Sequence, residues 1–488
     1  MAPRPPLPPG PYLIVGLARS GRAVGRVLRA RGEEVTGCDS GPVDVAVIGE
    51  LEAAGVAVHA STDGLQLLDD VATVVKSPGV PQDAPVIAAA REQGLEILGE
   101  LELGWRLVPN EVIAITGSNG KTTTTELVGQ IHREAGVPVA VGGNVGTALS
   151  SLVGRLDPAA VVVCEVSSFQ LEDTVAFAPE AAVLLNVAPD HLDRHGSFAA
   201  YRDAKLRVFA NQEADAIAVA PADLDHPGAA RRITFESPMA GGGVAAAGGP
   251  AAAMSEPGAG GVAPGRPAAP GRPAAARSGA GAGGAAAGPT ADLVMRGGRL
   301  VWRGDPVVAV DEIRLRGAHN LENAMAAAAV TLARGIDAGA VRAGLASFAG
   351  VAHRLEEVAR VDGVLYVDDS KATNVASAVV GIRSFAGGVH AIFGGRGKGE
   401  DYAPLAAAVA ERCRAAYLIG EEASRLREAL APAGVPVSDC GDLERAVAAA
   451  RAAARPDEVV LLSPACASYD QYRSFEERGS HFKALVRG

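Results

Sequence analysis

Cysteine is scarce in this sequence, and no cysteines are paired at short spacing. The 488 residues contain five cysteines, an odd number, and no Cys-X-X-Cys pair. Disulfide frameworks and structural zinc sites use closely spaced cysteines, so we expect reduced thiols and a cytoplasmic protein. The five are Cys38, Cys164, Cys413, Cys440 and Cys466.

Long apolar runs and excess positive charge are also missing. No uncharged apolar stretch of about 18 residues is present, so no transmembrane helix is predicted. The first residues, Met1 to Pro6, lack the basic-then-apolar pattern of a signal peptide. The net charge of -11 argues against nucleic acid as the main partner, because phosphate binding needs a basic surface. We therefore expect neither a membrane nor a nucleic acid among the partners.

Glycine, by contrast, is abundant and unevenly placed. The chain has 60 glycines and 31 prolines, and residues 241–290 alone hold 15 Gly, 18 Ala and 7 Pro. Such a segment cannot bury enough apolar surface to offset its ordering entropy. We predict a disordered low-complexity insertion at 241–290.

Short apolar runs alternate with Ala-rich amphipathic stretches along the rest of the chain. Residues 12–15, 112–115 and 459–462 are examples of runs with the length of buried strands. This alternation predicts an α/β fold of parallel sheets with crossover helices. We expect three domains, at 1–110, 111–350 and 351–488. The first and third are predicted to be Rossmann-like, and the central one, which contains the insertion, to have the parallel sheet of a P-loop ATPase.

A glycine- and lysine-containing turn follows the run at 112–115. Residues 116–123 are Thr-Gly-Ser-Asn-Gly-Lys-Thr-Thr, a shortened variant of the common phosphate loop, with Ile115 at the first glycine position. Backbone N–H groups of such a turn bind phosphate oxygens, the lysine reaches the terminal phosphates, and a threonine hydroxyl can bind Mg²⁺. The predicted ATP-binding residues here are Gly117, Ser118, Asn119, Gly120, Lys121, Thr122 and Thr123.

Two later strands are also followed by polar residues. Glu165 comes at the end of the run 161–164, and His191 lies in the segment 186–195 after another strand. Ligands bind at the carboxyl ends of parallel strands, where a carboxylate can hold Mg²⁺. Histidine and aspartate after the second strand suit a second metal and an anionic intermediate. His195, taken alone, we expect to be a surface residue.

The N-terminal block carries a weaker glycine signal. Residues 16–21, Gly-Leu-Ala-Arg-Ser-Gly, lie between a strand and a helix, and Asp39 ends the second strand. This is a degenerate dinucleotide-binding fingerprint with Ala18 at the second glycine position. An NAD-dependent oxidoreductase is therefore one alternative, although it leaves the lysine-containing turn unexplained.

Taken together, these motifs resemble the ATP-dependent Mur ligases of peptidoglycan synthesis. The resemblance rests on residues 116–123, on Glu-Val-Ser-Ser-Phe-Gln at 165–170, on Asp-His-Leu-Asp-Arg-His at 190–195 and on Tyr-Arg-Asp-Ala-Lys at 201–205. It implies ATP and two Mg²⁺ sites, catalytic roles for Lys121, Glu165, His191 and Lys205, and a monomer. It also implies that Lys205 is carbamylated, since an ammonium has no lone pair for a metal. The implied metal ligands are Thr122, Glu165, His191 and the Lys205 carbamate.

The resemblance further divides the substrates among the domains. The N-terminal domain would hold the UDP part of the substrate through Arg19, Ser20, Asp39, Ser40, Ser77, Asn144 and His191. Residues 368–374, 393–399 and 462–472 resemble members that add D-glutamate, which implies D-glutamate contacts from Lys371, Thr373, Lys398, Ser468 and Phe475. Asn320, Asn323, Arg354 and Asp369 would complete the ATP site.

The implied reaction joins D-glutamate to UDP-N-acetylmuramoyl-L-alanine. ATP phosphorylates the carboxylate of the L-alanine unit, and the amine of D-glutamate then attacks the acyl phosphate. Water must be excluded, and a swing of the C-terminal domain over the central one is the expected means. A sibling ligase for another amino acid or a folate γ-glutamate remains an alternative. So does a nucleotide switch without synthetic activity, although the presence of Glu165, His191 and Lys205 disfavours it.

Overall fold

A computed structural model describes residues 3–238, 291–315, 317–397 and 399–488, and the first of its three sheets is wholly parallel. The strand order of this sheet is β3-β2-β1-β4-β5. Its strands are β1 (Tyr12–Val15), β2 (Val35–Asp39), β3 (Ala57–Ala60), β4 (Thr73–Lys76) and β5 (Glu96–Gly99). Its helices are α1 (Arg19–Ala30), α2 (Val45–Ala53), α3 (Pro85–Glu92) and α4 (Glu100–Leu107). The order reverses between β1 and β4, which is where parallel sheets of this type bind ligands.

The second sheet has nine strands and is mixed. Its order is β14-β13-β12-β11-β10-β9-β6-β8-β7, parallel from β7 to β12 and antiparallel at β12, β13 and β14. The strands are β6 (Val112–Thr116), β7 (Val139–Gly143), β8 (Val161–Glu165), β9 (Ala181–Leu184), β10 (Ile217–Pro221), β11 (Arg231–Phe235), β12 (Leu293–Arg296), β13 (Arg299–Trp302) and β14 (Asp305–Ala309). The helices are α5 (Lys121–Glu134), α6 (Ser168–Glu172), α7 (Leu192–His195), α8 (Phe198–Ala210), α9 (Ala318–Ala333) and α10 (Ala338–Ser347).

The third sheet has the order β15-β16-β20-β17-β18-β19, with β15 antiparallel at one edge. Its strands are β15 (Glu356–Val361), β16 (Val364–Asp368), β17 (Val389–Gly394), β18 (Cys413–Ile419), β19 (Val437–Gly441) and β20 (Val459–Leu462). Its helices are α11 (Val375–Arg383), α12 (Ala403–Arg412), α13 (Ala423–Leu430), α14 (Leu443–Ala453) and α15 (Phe475–Arg487).

Burial explains why the central strands are so uniformly apolar. Every residue of β6 and β8 is buried, because helices cover both faces of this part of the sheet. The middle of helix α9 is apolar on all sides, and residues 324–330 are completely buried against α5 and the sheet. The predicted phosphate loop, between β6 and α5, is therefore supported by closely packed strands and helices.

The three-sheet α/β architecture confirms the predicted fold class. The antiparallel strands β12 to β15 were not foreseen, and the central sheet is mixed rather than purely parallel. The predicted insertion at 241–290 lies outside the described residues. In the described part of the chain, none of the helices combines the length and apolar character needed to cross a bilayer.

Candidate active site

The phosphate loop lies between β6 and α5, as its sequence predicts. Gly120 immediately precedes α5 with a φ of +85°, a conformation that favours glycine. A Cβ at this position would lie 2.0 Å from Oδ1 of Asn323, on α9. Glycine is thus needed both for the turn and for the close approach of α9.

Lys121, the first residue of α5, is folded back over the loop. Its ammonium donates to the carbonyl oxygens of Gly117, at 2.8 Å, and Ser118, at 3.0 Å. Burial lowers the pKa of Lys121, and the nearby carboxylate of Glu165 partly opposes that effect. The cation is therefore held at the mouth of the loop, where phosphate oxygens would meet it.

Lys205 projects from α8 to the same loop. Its Nζ donates to the carbonyl of Gly117 at 2.8 Å and lies 4.6 Å from the centre of the Tyr201 ring. The Tyr201 hydroxyl is hydrogen-bonded to Oγ of Ser118 at 2.9 Å. Burial and the charge of Lys121 lower the pKa of Lys205 to about 7. Near neutral pH, a substantial fraction of the molecules therefore carry Lys205 as a neutral amine.

Glu165 ends β8 beside the phosphate loop and is almost completely buried. Its Oε1 accepts a hydrogen bond from Nδ2 of Asn144 at 3.1 Å. Its Oε2 is buried and has no hydrogen-bond partner among the described residues. The Asn144 carbonyl in turn accepts from Nη2 of Arg19 at 2.8 Å.

His191 lies on the other side of the loop, after β9. Its backbone is left-handed, with a φ of +51°, and its side chain is about half exposed, at 49%. Its ring packs against Phe169 with a centroid distance of 4.9 Å. The structure therefore places His191 at the carboxyl edge of the sheet, as predicted.

The surface position expected for His195 is wrong. Its side chain is only 1% exposed, because both ring nitrogens reach partners on α6. Nδ1 lies 2.8 Å from Glu172 Oε1 and Nε2 lies 3.0 Å from Ser168 Oγ.

A cavity of about 460 Å³ opens beside the phosphate loop, between the second and third sheets. Seven of the predicted ATP-binding residues line it: Asn119, Gly120, Thr123, Asn320, Asn323, Arg354 and Asp369. These residues come from four separate segments of the chain, and the fold brings them to one cavity.

The same cavity contains polar residues that sequence reasoning missed. Glu322 is buried, and its carboxylate accepts from Asn186 Nδ2 at 3.3 Å and from Ser237 Oγ. Burial raises the pKa of Glu322. Asn186 also accepts from the Asn119 backbone N–H at 3.0 Å. The available signals were a lone acid within the Ala-rich α9 and an amide directly after a buried strand.

Two titratable groups in this cavity have strongly altered protonation. Burial, reinforced by Arg354, lowers the pKa of His319 to about 4, so the ring is neutral at pH 7. Burial raises the pKa of Asp369 to about 7, although Ser463 Oγ donates to it at 2.7 Å. The cavity thus carries less charge than its residue types suggest.

A second cavity, of about 620 Å³, lies at the carboxyl ends of β1, β2 and β4. Six of the seven residues predicted to bind the UDP part line it: Arg19, Ser20, Asp39, Ser40, Ser77 and Asn144. His191, the seventh, is not in its wall. Asn144 directly follows β7 of the second sheet and is hydrogen-bonded to Glu165, so this cavity extends towards Glu165.

Asp39 and Ser77 shape the wall of this cavity through backbone contacts. Asp39 accepts from the N–H groups of Leu17, at 2.8 Å, and Gly41, at 3.0 Å. Ser77 donates to the Gly16 carbonyl at 2.7 Å. Both side chains therefore hold the glycine turn in place.

The third sheet brings two of the predicted D-glutamate residues, Lys371 and Phe475, into contact. The Lys371 ammonium lies 5.5 Å from the centre of the Phe475 ring, and burial lowers the pKa of Lys371. Thr373 follows two residues later, and Ser468 is buried near the end of β20. Lys398 lies outside the described residues.

The residues around Glu165 fit a divalent cation. A buried carboxylate oxygen without a partner is costly unless a cation or donor is supplied. Glu165 Oε2 is such an oxygen, and Thr122, with its hydroxyl, is the second residue of α5, directly after the phosphate loop. Oxygen ligands of this kind are those that Mg²⁺ prefers.

Three family models match successive parts of the chain. The MurD-like N-terminal domain of Mur ligases matches residues 11–99, the Mur ligase middle domain matches 115–237, and the Mur ligase glutamate ligase domain matches 353–466. Each match falls on one of the three sheets.

Curated proteins similar to this chain match over nearly its whole length. UDP-N-acetylmuramoylalanine–D-glutamate ligase from Myxococcus xanthus is 41% identical, covering 97% of both chains. The protein of the same name from Acidobacterium capsulatum is 39% identical, covering 97% of this chain and 95% of its own.

Solved structures share the fold at low identity. The UDP-N-acetylmuramate–alanine ligase MurC of Thermotoga maritima matches with a TM-score of 0.57 at 17% identity, covering 98% of this chain and 99% of its own. The MurF ligase of the same organism, in complex with ADP, has a TM-score of 0.54 at 16% identity, covering 93% and 95%. Given the three domain matches and the relatives that are similar over nearly their full length, the chain belongs to the Mur ligase family.

Proposed function

We propose that this protein is an ATP-dependent, ADP-forming ligase that adds D-glutamate to UDP-N-acetylmuramoyl-L-alanine in peptidoglycan synthesis. The observation that carries the proposal is the position of Glu165. It lies beside the phosphate loop, and Asn144 links it to the cavity of the first sheet. A nucleotide and a second phosphate-bearing substrate can therefore meet at one carboxylate. We further propose that the protein is a monomer and acts in the cytoplasm.

We assign the substrates to three domains, at 1–110, 111–350 and 351–488. The cavity at β1, β2 and β4 suits the UDP part, because glycine turns at helix N-termini bind pyrophosphate. The cavity between the second and third sheets suits ATP. Lys371, Thr373, Ser468, Phe475 and Lys398 are proposed to bind D-glutamate, whose two carboxylates need cationic and hydroxyl donors.

The proposed chemistry begins with phosphoryl transfer to the carboxylate of the L-alanine unit. Lys121 neutralises charge on the terminal phosphates and orients them towards that carboxylate. The neutral amine of D-glutamate then attacks the acyl carbon, forming the amide bond as phosphate leaves. Closure of the third domain over the second would exclude the water that hydrolyses an acyl phosphate.

Mg²⁺ at the proposed sites would neutralise charge on the transferred phosphoryl group. Thr122, Glu165 and His191 are its proposed ligands, together with Lys205 as a carbamate. Carbamylation requires a neutral amine, because only the unprotonated nitrogen has the lone pair that attacks carbon dioxide. The lowered pKa of Lys205 supplies that form near neutral pH. Labelled bicarbonate and carbon NMR would test this: a carbamate signal present in the wild type should be absent in Lys205→Met.

The decisive experiment measures phosphate release with UDP-N-acetylmuramoyl-L-alanine and a panel of amino acids. We expect turnover that depends on D-glutamate, with ADP and the extended nucleotide as products. Equal rates with L-lysine or L-alanine would contradict the proposed specificity and favour a sibling ligase. Nucleotide binding without turnover on any amino acid would favour a switch protein.

A further inference from the structure

The side chain of His195 connects two segments that lie on opposite sides of the phosphate loop. It belongs to α7, the short helix that follows His191, and it contacts α6, the helix that follows Glu165. Strand β8, which precedes α6, and strand β9, which precedes α7, flank β6 in the sheet. A contact between α6 and α7 therefore spans the strand that carries the phosphate loop.

The contact is specific in geometry. The His195 ring stacks on Phe169 with an interplanar angle of 7° and a centroid distance of 5.2 Å. Glu172 is a carboxylate and its Oε1 lies 2.8 Å from Nδ1, so Nδ1 is the nitrogen that carries the proton, and Nε2 of a neutral ring accepts from the Ser168 hydroxyl. Both polar ends of the ring are satisfied while its face packs on an apolar one.

The side chain of His191, by contrast, makes few contacts. It is half exposed and its backbone is left-handed, and its ring contacts Phe169 and lies 3.5 Å from Asp190. Phe169 is the shared neighbour, since the rings of His191 and His195 both pack on it. The backbone N–H of His195 also donates to the His191 carbonyl at 3.0 Å.

We propose that His195 is a positioning residue that docks the segment carrying His191 onto α6 and thereby sets the separation between His191 and Glu165. The inference rests on the proposed function, in which those two side chains hold the metal. Groups that orient metal ligands in this way commonly affect metal affinity by about 10–100-fold. His195 itself touches neither substrate nor metal.

The test compares Mn²⁺ binding in the presence of ADP, followed by electron paramagnetic resonance on the full chain. We expect His195→Ala to weaken Mn²⁺ binding by about tenfold. His195→Gln, which keeps a flat polar group able to make one of the two polar contacts, should recover most of that loss. His226→Ala is the matched control, because that ring also packs on a phenylalanine, Phe209, at 4.5 Å, but in another part of the fold.

A change of less than about threefold in His195→Ala would overturn the proposal. Thermal unfolding checks that each variant is folded. If His195→Ala does not fold, Ser168→Ala serves instead, because it removes the hydrogen bond between Ser168 Oγ and His195 Nε2. Ser168→Ala must then weaken Mn²⁺ binding for the proposal to survive. In steady-state assays of His195→Ala, the Mg²⁺ concentration that gives half the maximal rate should rise, while the KM for D-glutamate stays unchanged. If the wild type binds Mn²⁺ with ADP but lacks D-glutamate-dependent turnover, the proposed function fails, and the binding comparison still decides the role of His195.

Discussion

Asn144 donates a hydrogen bond to Glu165 across 3.1 Å, and this contact links the cavity of the first sheet to the buried carboxylate beside the phosphate loop. The same asparagine accepts from Arg19 through its backbone carbonyl, so two residues of that cavity wall are connected in series to Glu165. Occupation of the first cavity can therefore influence the orientation of Glu165.

Replacement of Asn144 should impair both the binding of the UDP-linked substrate and the chemistry at Glu165. In Asn144→Ala we expect a higher KM for the UDP-linked substrate and a kcat lower by about tenfold, because Glu165 loses the donor that orients it. Asn211→Ala is the control, since that amide only donates to backbone carbonyls such as that of Val175, at 3.0 Å. Steady-state kinetics on both variants checks this, and an unchanged kcat in Asn144→Ala would contradict it.

Removal of the Lys121 ammonium should abolish ADP formation. We expect Lys121→Ala to lower the rate by at least about a hundredfold, because the ammonium that neutralises charge on the terminal phosphates is lost. Arg133→Ala removes an exposed cation at the far end of the same helix and should remain near the wild-type rate. Substantial residual turnover in Lys121→Ala would contradict the assignment of residues 116–123 as a phosphate-binding loop.

A side chain at Gly120 should damage nucleotide binding more than it damages folding. Gly120→Ala must accommodate a φ of +85° and a clash with Asn323, which lines the nucleotide cavity. Gly136→Ala, at the other end of α5, has a φ of +69° and nothing within 4 Å of its new Cβ. Each variant bears a backbone cost of about 1–2 kcal/mol, so both should lower Tm.

Calorimetric titration with an ATP analogue separates the two effects. We expect the affinity of Gly120→Ala to fall by about tenfold or more, equivalent to about 1.4 kcal/mol, and that of Gly136→Ala to stay close to wild type. Equal affinities in the two variants would show that α9 does not need to approach the loop.

Asp369 should make stability depend on pH. Its pKa is raised from 3.8 to about 7, so the folded protein holds a proton that the unfolded chain has already released in this range. The associated stability is present below pH 3.8 and is lost as pH rises through 7. Relative to Asp369→Asn, the wild type should therefore lose a few degrees of Tm between pH 5.5 and pH 8. Asp457→Asn, whose side chain is 99% exposed, is the matched control variant.

The parts of the site that are local in the sequence could be predicted from it. The phosphate loop needs a strand, a glycine turn, a lysine and a helix in succession, and all four lie within residues 112–134. Glu165 could be placed because it ends a buried strand, and the carboxyl ends of parallel strands share one edge. The three-sheet class followed from the alternation of short apolar runs and helices.

What could not be predicted depends on distant partners. His195 is buried by Phe169, Ser168 and Glu172, which precede it by more than twenty residues and belong to α6, the helix that follows a different strand. Strand β13 is only four residues long, and its antiparallel pairing with β12 and β14 makes it a strand. An apolar run this short shows no clear period, so the sequence alone does not distinguish a strand from a piece of helix.

The approach of Asn323 to Gly120 also constrains the order in which the chain can become functional during synthesis. Gly120 is made roughly 200 residues before Asn323, which at about 5–20 residues per second is on the order of 10–40 seconds. Throughout that interval the phosphate loop lacks α9, the helix whose buried face covers α5. Bound nucleotide can stabilise only a folded site, so ATP cannot assist the folding of the nascent central sheet until α9 has left the ribosome.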